Sequence, residues 1–69
     1  MEFIKVSDLV YLPINPPSFG PLADLMYIED QEDNTVDLVF SRGGLATTVT
    51  ITAVPIEAII TLLRAGTSV

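Results

Sequence analysis

The chain contains no cysteine, no histidine and no tryptophan, and its only basic side chains are Lys5, Arg42 and Arg64. Without cysteine no disulfide can cross-link it. Without histidine as well, a structural zinc site would need carboxylates alone, which is not how such sites are built. The same absences remove the usual nucleophiles and proton shuttles, leaving carboxylates, Lys5, Tyr11 and Tyr27 for general acid–base work. Each carboxylate reads as a turn, solvated-face or helix-end group, and none falls in a recognisable cleft of the kind that tunes a catalytic acid. The sequence therefore predicts a protein that is not an enzyme, with no catalytic residue, no cofactor and no metal.

Nine acids give a formal charge of −6. Nucleic-acid binding rests on clustered lysines and arginines that displace counterions, and three scattered bases do not provide that, so no direct nucleic-acid contact is expected. The longest uncharged runs, 9–23 and 43–56, fall short of the ~20 residues of a membrane helix. Both are interrupted by proline. The start of the chain shows no basic segment followed by an apolar core, as a signal peptide would. A soluble, cytoplasmic protein with no membrane partner is expected, and the lack of cysteine fits a reducing compartment.

Sixty-nine residues are enough for one domain, spanning 1–69. A chain of this mass exposes roughly 10,900 Å² unfolded and about 4,200 Å² folded. Apolar burial then contributes on the order of 95 kcal/mol, against about 100 kcal/mol for ordering the chain. The balance is near zero, so a domain this small usually needs a staple. With disulfide and zinc excluded, the staple left is another protein surface. A hydrophobic fraction of 49% and a mean hydropathy of +0.54 agree, and a homo-oligomer is expected.

Several segments have clear periodicity. "EFIKV" predicts a strand at 2–6, Ser7–Asp8 a turn, and 9–14 a second strand. In "LADLMYIEDQ", Leu22, Leu25 and Met26 have helical spacing, while the aromatic and β-branched end favours a strand at 25–30, with Met26 and Ile28 on one face and Leu25 and Tyr27 on the other. "TVDLVFS" alternates Val36, Leu38 and Phe40 against Thr35, Asp37 and Ser41. "LATTVTITAV" alternates Leu45, Val49, Ile51 and Ala53 against Ala46, Thr48, Thr50 and Thr52. The glycines of "SRGG" suit a tight turn, and "EDQEDN" is a polar one, so 25–52 reads as a three-stranded antiparallel meander. The last segment, 55–65, reads as a helix. Pro55 opens it, Glu57 and Arg64 complement its dipole, and Gly66 is expected to cap it. Ile56, Ile59, Ile60 and Leu63 form its apolar stripe, with Leu62 widening it. The expected fold is α+β: a small antiparallel sheet of four to five strands with one C-terminal helix packed on it.

Four of the five prolines lie in the connector 13–21, "PINPPSFGP". Asn15-Pro16-Pro17 is biased to extended polyproline conformation. A connection of this length suits a parallel or crossed arrangement of the strands it joins. Phe19, an apolar ring among Ser18, Gly20 and proline, is expected to fold back as a lid on the core or to dock on a partner.

The order of elements, "FIKVSDL", Ile14-Asn15, "YIED", "NTVDLVF", a glycine turn, "TVTI" and "IEAIITLL", resembles the FlbD-type flagellar and swarming-motility proteins. These are short chains with a β-rich body and a closing helix. Relative to that pattern the stretch from Pro16 to about Asp24 is an insertion. The resemblance implies regulation through protein contact and carries over no catalytic residue.

Three features bear on function. Glu29, Asp30, Glu32 and Asp33 form an acidic cluster. It lacks the spacing and central glycine of a calcium loop and reads as a solvated hairpin turn, the alternatives being a weak divalent-cation site and a contact for a partner with a basic surface. The threonine row 48–52 reads as the outer face of a strand, and Arg42-Gly43-Gly44 as a hairpin turn. Phe19, Leu25, Tyr27 and Val39 are the expected contact residues, as apolar groups on the less buried faces. The function expected is a non-catalytic, self-associating interaction or regulatory module with an acidic surface. Two alternatives are an acidic inhibitor, or nucleic-acid mimic, that occupies a basic groove of a host protein, and a structural or scaffold subunit.

Overall fold

The computed structural model describes residues 1–67. Five strands, β1 (Glu2–Lys5), β2 (Val10–Ile14), β3 (Leu25–Asp30), β4 (Thr35–Arg42) and β5 (Leu45–Thr52), form one antiparallel sheet in chain order, and the helix α1 (Ile56–Thr67) follows. This is the α+β sheet-and-helix architecture that the periodicities predict. The meander extends through all five strands rather than starting at residue 25.

The core lies between α1 and one face of the sheet. Alternation along β4 places Val36 and Leu38 on that face, Leu38 opposite Ile28 and Val36 opposite Ile51. Ile56, Ile59 and Ile60 bury against this group, and Ile28 and Val36 lose all contact with solvent. Three turns of helix are unstable alone in water. Burial of this stripe, worth about 1.5–3 kcal/mol per isoleucine, is what holds α1 in place. The Pro55 carbonyl accepts the N–H groups of Ala58 and Ile59 and so starts the helix. Two details differ from the sequence reading. Leu62 points to solvent and does not widen the stripe. Gly66 lacks the positive φ of a capping glycine, and α1 runs through it to Thr67.

In β3 the expected faces are overturned by a bulge. Leu25 pairs with Phe40 and Tyr27 with Val39, so Met26 is an extra residue in the strand. The bulge turns Leu25 onto the helix side, where it is 5% exposed, and leaves Met26 outside. A period-two reading cannot anticipate this, because one inserted residue reverses the parity of everything before it.

The proline-rich connector is not a crossover, since β2 and β3 are antiparallel neighbours. Pro13 and Ile14 belong to β2 and pair with Phe3 and Glu2. The Asp30 N–H donates to the Leu9 carbonyl at 2.7 Å. The alternation of an antiparallel strand then turns the backbone groups of Leu9, Tyr11 and Pro13 toward β3. Pro13 has no N–H to offer there, and the β2–β3 pairing ends at Tyr11 opposite Ile28. Beyond that point the strands part. Residues 15–24 connect them and finish in a 3-10 turn, Pro21–Asp24.

Two tight connections shape the far strands. Gly43 and Gly44, with φ of 58° and 84°, make the two-residue turn between β4 and β5, which needs positive φ at both positions. After β5, Ala53 also has a left-handed backbone, φ 66°, and redirects the chain into α1.

Candidate functional site

Among the described residues none packs over the face of the sheet opposite α1. Register sorts its residues into rows that cross the strands. One row is Val10–Glu29–Asp37–Thr50, in which Glu29 stands directly opposite Asp37. Two like charges in that position repel. The Thr50 hydroxyl donates to Asp37 Oδ1 at 2.7 Å and takes up part of that charge. Next to it lie two mainly apolar stretches, Ile4 opposite Leu12 on β1 and β2, and Tyr27–Val39 ending in Thr48 on β3 to β5, on either side of the point where β2 and β3 part. Ile4 is 50% exposed, and Leu12 and Ile14 also reach solvent. An acidic row thus lies beside apolar stretches on a single open face.

The structure distributes the expected contact residues unevenly. Tyr27, Val39 and Glu29 share the open face. Val39, however, is buried by its neighbours, contrary to expectation, and offers little surface. Leu25 lies in the core and is not a contact residue, for the reason the bulge gives. Asp30 lies opposite Val36 on the helix side, where its Oδ1 accepts the Glu32 N–H at 2.9 Å and closes the turn. Glu32 and Asp33 are exposed at the tip of that turn, with left-handed φ of 66° and 52°. Among the described residues no group of three or more histidine, cysteine, aspartate or glutamate side chains is placed to hold a metal ion. The residues that sequence reasoning missed are Asp37, Ile4, Leu12 and Ile14. Counting back across the 31–34 turn places Asp37 opposite Glu29, so that pairing was within reach. The pairing of Ile4 with Leu12 follows from the turn at Ser7–Asp8.

Phe19 does not close the core of its own chain. It is 86% exposed and forms one wall of an open cleft of about 960 Å³ on the helix side of the sheet, beyond the reach of α1. Ala23, Phe40, Leu45 and Val49 supply the other apolar lining. Asp24 and Arg42 also line it, 3.9 Å apart in an ion pair. No helix among the described residues is long and apolar enough to cross a membrane. No protein-family model, no curated protein and no solved structure matches the chain.

Proposed function

We propose that the chain is a non-catalytic, self-associating interaction module that offers an acidic surface to a partner with a basic one. The observation that carries this is the open face, where apolar residues beside an acidic row are covered by nothing among the described residues. Ordinary exposed aliphatics are scattered singly; here Ile4 and Leu12 face each other across two strands, with Ile14 next along. Apolar burial drives assembly, and the Glu29–Asp37 row biases the choice of partner through charge. The resemblance to FlbD-type proteins supports the same reading, regulation by contact.

Sedimentation equilibrium over a dilution series tests it. A reversible shift from oligomer to monomer on dilution is expected. A chain that stays monomeric at high concentration, melts sharply and binds no hydrophobic dye removes the proposal. Binding of the basic partner separates from self-association by salt: partner binding weakens as the Debye length shrinks, whereas apolar assembly holds or strengthens.

A further inference from the structure

We infer that two copies of the chain join through the free edge of β5, strand against strand about a two-fold axis, to make one continuous antiparallel sheet. This rests on the self-association proposed above, since both need a second copy, and it places a joint at the β5 edge rather than on the apolar residues of the open face.

The sheet has two edges, β1 and β5, and they differ in kind. β1 is four residues long and carries Glu2 and Lys5; Glu2 is engaged by Arg64 of α1 at 2.7 Å, and Lys5 lies over the Tyr11 ring. Short length and charge are among the devices that keep an edge strand from pairing with another chain. β5 is eight residues of "LATTVTIT", with no charge and no proline, paired with β4 in unbroken register from end to end. Its composition, rich in threonine and β-branched aliphatics, suits a further strand at its side.

Register identifies the backbone groups at stake. The two-residue Gly43-Gly44 turn makes Arg42 and Leu45 a hydrogen-bonded pair, and alternate pairs repeat that pattern along the ladder. Leu45, Thr47, Val49 and Ile51 therefore turn their N–H and C=O groups to β4. Ala46, Thr48, Thr50 and Thr52 turn theirs to the open edge.

Charge argues for a second copy as the occupant. Two molecules of charge −6 repel over most of their surfaces, and the acids lie on β1, on β3 and β4, in the loops and in α1. β5 carries none, and the nearest acid on the open face, Asp37, is held by Thr50. The strand is also its own complement. With the two-fold axis through Thr48 or Val49, only uncharged residues of β5 meet their copies. On the helix side Leu45, 76% exposed, and Val49 gain apolar neighbours, and the two clefts lie on the same face of the joined sheet. Each β5 edge is used once and only the guarded β1 edges remain, so the assembly closes as a dimer.

Amide hydrogen exchange on the full chain, read by NMR at low and high concentration, tests the pairing together with sedimentation of Thr48→Pro. Proline at 48 removes an N–H only from the open edge, a place where edge strands accept it. The amides of Ala46, Thr48 and Thr50 are expected to exchange slowly in the concentrated sample and quickly in the dilute one, while those of Thr47 and Val49 stay protected in both. Thr48→Pro is expected to raise the dimer dissociation constant about tenfold or more, since both copies lose the bond. Should the variant fail to fold, the exchange pattern of the unaltered chain decides. A dimer whose Ala46, Thr48 and Thr50 amides exchange quickly at every concentration overturns the edge pairing and leaves self-association standing. A chain that is monomeric throughout, including one that pairs only with a foreign strand, overturns both.

Discussion

Glu2 Oε1 lies 2.7 Å from Arg64 Nε, so the first strand and the last turns of the helix are in direct contact. The contact ties the edge strand to the helix across the rim of the core. Both side chains are about half exposed, which limits what the pair contributes.

A double-mutant cycle of Glu2→Ala and Arg64→Ala is expected to give a coupling of about 0.2–1 kcal/mol at low salt. Urea melts in about 1 M NaCl should reduce it toward zero. A coupling that survives high salt would show that the pair is better shielded than its exposure indicates.

Ala53 is expected to be improved by glycine. Its left-handed backbone costs a residue with a Cβ about 1–2 kcal/mol, and glycine gives back about 0.5–1 kcal/mol through the unfolded chain. Ala53→Gly should therefore stabilise by roughly 0.5–1 kcal/mol, read as a higher denaturation midpoint with an unchanged m-value. The branched Ala53→Val should move the midpoint the other way.

Ile28 sits at the centre of the core with no exposure. Ile28→Ala is expected to cost about 2–5 kcal/mol, enough to unfold much of a domain this small at room temperature. Ile28→Val, at about 0.5–1.5 kcal/mol, should stay folded with a lower melting temperature. Circular dichroism melts of the two variants distinguish a packed core from a loosely collapsed one.

Phe19 and Leu25 should behave in opposite ways, although both are apolar residues near the same loop. Phe19→Ser is expected to change stability by no more than about 0.5 kcal/mol. Leu25→Ala should cost about 2–5 kcal/mol. Equal destabilisation in thermal melts would mean that Phe19 closes the core after all.

Where one physical rule decides the structure, the sequence was readable. Val36, Leu38 and Phe40 alternate without interruption, Gly43 and Gly44 demand a turn, and the isoleucines of 56–60 repeat at helical spacing; strand, turn and helix appear there as expected. Where two rules compete, reading failed. Nothing in "LADLMYIED" marks Met26 as a bulge, so alternation alone puts Leu25 on the outer face. The prolines at 13–21 suggested a long crossing, whereas Pro13 is a strand residue whose missing N–H parts β2 from β3. Of the open face, Tyr27 and Glu29 were legible from alternation. The confrontation of Glu29 with Asp37, and of Ile4 with Leu12, needed register, which is a property of pairs of strands.

The order of strands in the sheet is their order in the chain, which has a consequence for biosynthesis. Every hairpin can zip as soon as its second arm emerges, but the face that carries Ile28, Val36 and Leu38 stays wet until residues 56–67 follow. α1 alone supplies the apolar stripe that covers that face. A chain cut just before Pro55 retains every strand, and it is expected to precipitate or to light up a hydrophobic dye under conditions that leave the whole chain clear and dark.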